Sequence, residues 1–171
     1  MEMVKTNEKK KVQNAWAMYD WANSVYSLVI TSTIFPVYFN GVTKSEEYGD
    51  IVSFFVFKIV NTVLYSSSLS FSFFVIALVS PLLYGMADYG GKKLHYMKFF
   101  AYLGSLSCLG LFFFDGYNLE YGIICAVLAS IGYAGSIVFY NAFLPESATE
   151  VEFGFLSARG FALGYIGSVS L

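Results

Sequence analysis

Long apolar runs separated by short polar segments are the main pattern of this chain. A helix needs about 20 mostly apolar residues to cross the hydrocarbon core of a bilayer. Runs of roughly that length predict membrane spans at about residues 16–39, 63–87, 96–114 and 121–144. A further run at 160–171 ends before it could cross. The pattern therefore predicts an all-α polytopic membrane protein with about four complete spans and a partial fifth.

The apolar stretch from Ile51 to Ala87 is too long for a single span. It holds 37 residues, and Lys58 is its only charged residue. One straight helix at ~1.5 Å per residue would be much longer than a hydrocarbon core of ~30 Å. We therefore predict an interfacial helix at about residues 51–60, with the Lys58 ammonium reaching the headgroups. Residues 1–15 are predicted to be a cytoplasmic N-terminal tail.

The composition and the placement of charge support a membrane location. Only 13% of the residues are charged, about half the share of a soluble domain. Eight of the ten basic residues fall on one side of the predicted spans, which predicts a cytoplasmic N-terminus. These residues are Lys5, Lys9, Lys10, Lys11, Lys92, Lys93, Lys98 and Arg159. No basic patch alternates with aromatic residues, so nucleic acid is not expected as a partner.

The sequence gives no sign of enzyme chemistry. The predicted spans contain no paired carboxylates, no Ser/His or Cys/His pair and no cluster with metal-ligand spacing. These are the groups that a catalytic site would require. We therefore predict a protein that is not an enzyme and that needs no cofactor or metal.

A polar stripe in the first predicted span is the best candidate for a solute or proton pathway. Helical spacing would place its members on one face of the span: Asp20, Asn23, Ser24, Ser27 and Thr31. Such a stripe is typical of a helix that lines a cavity between helices. The alternative is that Asp20 lies at the membrane interface and only caps or pairs locally. A second stripe, at Asn61, Tyr65, Ser68 and Ser72, is better explained by hydrogen bonds that join helices or that return to carbonyls of the same helix.

Two other features are weaker candidates. Asn141 precedes Pro145 by four residues, and because proline has no N–H, a carbonyl is left free near the helix end, where it could contact solute. The loop after the second span holds Asp88, Gly91, Lys92 and Lys93. An acid, a tight turn and two cations could form an electrostatic latch. An ordinary cytoplasmic basic loop is the alternative.

Several segments of the sequence resemble one family of transporters. The segments are AMYDWANS at 17–24, SPLLYGMAD at 80–88, YNAFLPE at 140–146 and SARGFALGY at 157–165. Together they resemble the vacuole-effluxer-like branch of the major facilitator superfamily. In the loop after the second span, Tyr84 stands where that superfamily has glycine and Tyr89 where it usually has arginine.

The resemblance implies a fold, a function and partners. It implies that residues 16–171 form the N-terminal part of a major-facilitator-type bundle of two six-helix halves. The implied function is that of a secondary transporter working by alternating access, with proton-coupled efflux of amino-acid-like solutes as one form. The loop residues Asp88, Gly91, Lys92 and Lys93 would then form a cytoplasmic gating loop.

The resemblance also implies what the chain would need in order to act. Its expected partners are the lipid bilayer, a small solute and a missing C-terminal half, so the fragment alone is expected to be inactive. The expected location is a bacterial cytoplasmic membrane. The alternative is a non-transporting membrane scaffold, or a truncated gene product that assembles with partners.

Overall fold

The computed structural model of the protein describes residues 2–45, 48–148 and 150–170. The chain forms two compact units. The first combines Met1–Leu28 with Tyr140–Leu171, and the second is Val29–Phe139. Each is described below by itself. Leu171, the last residue of the predicted fifth run, lies outside the described residues.

Helices make up most of the described chain, with one small hairpin between them. In chain order the elements are α1 (Glu2–Tyr26), a π-helical segment (Ser27–Ser32), α2 (Ile34–Thr43), β1 (Ile51–Phe54), β2 (Phe57–Val60), α3 (Asn61–Tyr89), α4 (Lys93–Leu111), α5 (Leu119–Ala142), α6 (Leu144–Ser147) and α7 (Glu150–Val169).

The predicted all-α membrane class is confirmed. Within the described residues, three helical stretches are long and apolar enough to cross a bilayer: Asn7–Thr43, Asn61–Tyr89 and Leu119–Ala142. The exact limits of the membrane spans stay predictions. Two helices begin earlier than the apolar pattern suggested. The predicted tail is helical from Glu2, and α7 begins at Glu150, although the apolar run starts only at 160.

The helix predicted at residues 51–60 is wrong, because this segment is an antiparallel β-hairpin. β1 and β2 pair in the register Ile51↔Val60 to Phe54↔Phe57. Val52, Phe54 and Ile59 are half-buried and pack against the core of the second unit. The alternation of inward and outward side chains gives the segment a period of two, which suits β-branched and aromatic residues.

An aromatic cluster forms the main core of the second unit. Phe35 and Phe39 of α2 meet Tyr65 of α3 and Phe114, with ring centroids 5.5–6.3 Å apart. Elsewhere in this unit α4 and α5 approach closely. A Cβ added at Gly132 would lie only 2.3 Å from the backbone nitrogen of Gly104. This crossing therefore depends on the absence of side chains.

The second polar stripe makes both kinds of structural hydrogen bond that were expected of it, between helices and back to its own helix. Asn61, Tyr65, Ser68 and Ser72 are all buried. The Asn61 amide donates to Oδ1 of Asn40 at 2.9 Å and to Oγ1 of Thr43 at 3.0 Å, while the Tyr65 hydroxyl donates to the Ile30 carbonyl. Ser68 and Ser72 donate to carbonyls one turn earlier in α3. These polar side chains therefore have packing partners.

Candidate functional site

The contact between α1 and α7, within the first unit, is built on three glycines of α7. Gly160, Gly164 and Gly167 lie at i, i+4 and i+7 and so share one helix face. A Cβ at Gly160 would lie 2.8 Å from the Trp16 ring, and one at Gly167 would lie 2.5 Å from the Trp21 carbonyl oxygen. The two helices can approach this closely only because these positions carry no side chain.

Asp20 lies inside this contact. Asp20 is half-buried. A Cβ added at Gly164 would lie 3.1 Å from the Asp20 Oδ2 and 2.6 Å from the Ser24 hydroxyl oxygen. The Ser24 hydroxyl donates to the Asp20 backbone carbonyl at 2.7 Å. Among the residues that the structure describes, no basic side chain forms an ion pair with Asp20. The carboxylate therefore lies between two helices and has no ion-pair partner in the described part of the chain.

Three aromatic rings lie together close to Asp20 in the chain, where α1 meets the end of α5. The rings of Trp16 and Tyr140 stack with centroids 4.3 Å apart, and Tyr19 lies 5.3 Å from Tyr140. The Trp16 indole N–H donates to the Tyr140 carbonyl at 3.1 Å. Tyr140 is only 5% exposed, and its buried hydroxyl has no hydrogen-bond partner among the described residues.

The predicted stripe is only partly assembled by the fold. Asn23 is half-buried on α1, and the Ser27 hydroxyl donates to the Ser24 carbonyl at 2.9 Å. Thr31 falls in the π-helical segment and belongs to the other unit. Since a π-helix pairs residues five apart rather than four, the α-helical spacing that grouped Thr31 with Asp20 does not continue to that residue. The Thr31 hydroxyl is buried and has no partner among the described residues.

Asn141 occupies the end of α5 and is exposed. Its own carbonyl is the one that Pro145 cannot bond, because proline lacks the N–H. The Trp16 indole N–H donates to the preceding carbonyl, that of Tyr140. α5 thus ends at Ala142, next to Asn141, and contact of the Asn141 carbonyl with solute stays a prediction.

The loop between α3 and α4, in the second unit, is a tight helix-ending turn. The Lys92 N–H donates to the Ala87 carbonyl at 3.0 Å and the Gly91 N–H to the Asp88 carbonyl at 3.2 Å, the bond pair of a Schellman motif. Gly91 has a φ of +59°, a left-handed conformation that favours glycine. Gly91 therefore ends α3 and fixes where the charged residues begin.

The charges of this loop are divided between one pair and one exposed cation. The Lys93 ammonium lies 2.7 Å from Oδ1 of Asp88 and 5.5 Å from the centre of the Tyr84 ring. Lys92 is exposed and forms no ion pair with any residue that the structure describes. Tyr84 stands where the superfamily pattern has glycine, and its aromatic ring here faces the Lys93 ammonium.

The sequence reasoning missed Trp16, Tyr140 and Gly164 as members of the candidate site. Trp16 and Tyr140 are 124 positions apart, so no local pattern joins them. The spacing Gly160-x-x-x-Gly164 indicated a close helix contact but could not name its partner. The combination of a charge in one apolar run and closely spaced glycines in another is the signal that could have suggested the pair.

Comparison with known proteins places the chain among transporter-like sequences. Residues 8–152 match the family described as Vacuole effluxer Atg22 like. An uncharacterized MFS-type transporter of Bacillus subtilis (strain 168), YxiO, is 35% identical over 158 residues, which are 92% of this chain and 35% of that protein. An uncharacterized protein of Aquifex aeolicus (strain VF5) is 25% identical over 166 residues, 94% of this chain and 37% of that protein. The chain thus spans about a third of the length of these relatives, and no solved structure matches it.

Proposed function

The chain belongs to the vacuole effluxer Atg22-like family, and from that membership we propose that it forms part of a secondary transporter of a small solute. The name of the Bacillus subtilis relative and the three apolar helical stretches support this proposal. Transport by alternating access would be the activity of a protein as long as the relatives. This chain would contribute about a third of that length, and the rest would complete the pathway.

Asp20 is the residue that carries the proposal. It lies about five residues inside the predicted first span, where an ionised carboxylate is costly, about 2.5–3.5 kcal/mol at a helix centre and less towards the ends. Binding a proton removes that charge. Because Asp20 packs directly on Gly164 of α7, a change in its charge would alter the contact between two helices. We assign Asp20 the role of proton-coupling group for efflux of amino-acid-like solutes.

The remaining candidates are assigned supporting roles. Asn23 lies almost one turn beyond Asp20 on α1 and would contact the solute, while Ser27 and Asn141, in the same unit, would line the route. Thr31 belongs to the other unit and stays a separate candidate for contact with solute or proton. The loop with Asp88, Gly91, Lys92 and Lys93 would act as a cytoplasmic gating loop. Asp88 is 61% exposed although it pairs with Lys93, so it can still accept a second partner.

The test is solute and proton flux in vesicles. A protein of the relatives' length carrying Asp20→Asn is compared with the wild type and with Asp20→Glu, using labelled amino acids and a pH-sensitive dye. We expect Asp20→Asn to abolish proton-driven flux or to uncouple it, with normal expression, because asparagine cannot exchange a proton. Asp20→Glu should retain part of the coupling.

The matched control is Asp115→Asn, the same change at an exposed turn residue whose side chain only accepts the Tyr117 N–H. This variant should transport normally. Normal and still proton-dependent flux in Asp20→Asn would refute the role of Asp20. Absence of flux in the wild-type protein with every solute tried would instead favour a membrane scaffold.

A further inference from the structure

A groove between α3 and α4 has the composition of a lipid site. It has a volume of about 460 Å³ and lies within the second unit. It is lined by Leu83, Lys92, His95, Tyr96, Phe99 and Phe100. The two basic side chains lie at the end next to the α3–α4 loop. The other four are aromatic or aliphatic, and those of α4 lead away from the loop along the helix.

The mouth of this groove holds one lysine ammonium and one histidine ring that have no ion-pair partner among the described residues. Lys92 and His95 are both exposed, and neither takes part in an ion pair in the described part of the chain. The nearest acid along the chain is Asp88, and its Oδ1 lies 2.7 Å from the Lys93 ammonium in an ion pair. The first turn of α4 contains no acidic residue. An anionic group would therefore find the Lys92 ammonium without an ion-pair partner among the described residues, and an imidazole N–H of His95 as a further donor.

The position of the groove indicates which anionic molecule reaches it. α3 is long and apolar enough to cross the bilayer, so the loop at its end lies near a membrane surface. The basic residues that flank the spans predict that this surface is the cytoplasmic one. Anionic lipids of the cytoplasmic leaflet bind basic pockets between membrane helices. A free solute would need polar groups along the walls to orient it, and these walls are apolar.

We propose that this groove binds an anionic phospholipid of the cytoplasmic leaflet. The lipid phosphate contacts Lys92 and His95, and an acyl chain lies against Tyr96, Phe99 and Phe100. The site does not depend on the proposed transport function, since its ligand comes from the bilayer. It does use the proposed orientation of the chain.

Lipid retention and crosslinking test the site directly. The purified protein is placed in nanodiscs of phosphatidylcholine with phosphatidylglycerol, and bound lipid is measured by native mass spectrometry after release. Lys92→Gln should weaken phosphatidylglycerol binding about fivefold, the factor that corresponds to ~1 kcal/mol per lysine near an anionic surface. His95→Gln should weaken it in the same direction. Phosphatidylglycerol with a photoreactive acyl chain should crosslink to α4 at residues 96–100.

Lys98→Gln is the matched control, because Lys98 is an exposed lysine of α4, six residues after Lys92, and does not line the groove. It should leave binding nearly unchanged. Equal losses in Lys92→Gln and Lys98→Gln would reduce the effect to general surface charge and overturn the site. Crosslinks absent from α4, or displacement of the lipid by inorganic phosphate, would overturn it as well. The first would mean that protein covers the groove, and the second that it is a site for free anions.

Discussion

At the scale of single residues, the α1–α7 contact depends on where α7 lacks a side chain. Gly164 lies against the Asp20 carboxylate and the Ser24 hydroxyl, whose side-chain atoms can shift. Gly167 lies against the Trp21 carbonyl oxygen, which belongs to the backbone and cannot shift without moving α1. The two glycines therefore have different tolerance to substitution, although they share one helix face.

This difference gives a stability prediction. Gly167→Ala should destabilise the protein by about 1–3 kcal/mol, the usual effect of overpacking, because the new Cβ would lie 2.5 Å from the Trp21 carbonyl oxygen. Gly154→Ala is the control on the same helix. A Cβ there meets nothing within 4 Å, and alanine improves helix propensity by up to about 1 kcal/mol. The measurement is the thermal unfolding midpoint in detergent, and equal midpoints for both variants would contradict the packing argument.

Asp20 could be found from the sequence, and its surroundings could not. A single acid inside an apolar run is unusual whatever the tertiary structure, because its charge has to be accommodated. The contacts of Trp16 with Tyr140 and of Asp20 with Gly164 depend on a pairing of helices far apart in the chain. Neither periodicity nor composition specifies that pairing. Thr31 was grouped with Asp20 because a π-helical segment cannot be recognised from an apolar pattern.

At the scale of elements, the hairpin is the feature that could not be predicted from the sequence pattern. Its two-residue turn is Phe55-Val56, and Phe55 has a φ of +52°. Such turns normally carry Gly, Asn or Asp at a position with positive φ. The segment FFVF contains none of these residues, so it reads as one unbroken apolar run. The helices were predictable because length and hydropathy alone define them.

The strained turn predicts an order of stabilities for the hairpin. Phe55→Gly relieves a left-handed conformation that costs an L-residue about 1–2 kcal/mol. Glycine itself adds about 0.5–1 kcal/mol of entropy cost in a strand or helix. Val56→Gly carries that entropy cost without any relief, since Val56 does not have a positive φ. Amide hydrogen exchange of residues 51–60 should therefore be slower in Phe55→Gly than in Val56→Gly, and the reverse order would show that Phe55 is not strained.

At the scale of the whole molecule, family membership and membrane class agree with the sequence pattern. The resemblance to the family is confirmed by a match over residues 8–152, which contains three of the four short segments; the fourth, at 157–165, lies beyond it. The predicted membrane class does not depend on every element being predicted correctly. A hairpin stands where a helix was predicted, yet α3 is still an apolar helix of 29 residues. At ~1.5 Å per residue this helix is about 43 Å long, enough to place its two ends on opposite sides of a bilayer.

That length makes the orientation of the chain testable. Lys44 precedes the hairpin and is 59% exposed, whereas Lys92 follows α3 and is also exposed. After Cys108 and Cys125 are replaced by alanine, single variants Lys44→Cys and Lys92→Cys are treated with a membrane-impermeant maleimide in intact bacterial cells. Because most basic residues flank the same side as Lys92, we expect labelling of Lys44→Cys in intact cells and of Lys92→Cys only after permeabilisation. Lys98→Cys should behave as Lys92→Cys does.

Labelling of all three variants in intact cells would mean that α3 does not separate these segments. Labelling of the second and third variants alone would mean that the orientation is inverted, and the lipid groove would then face the outer leaflet.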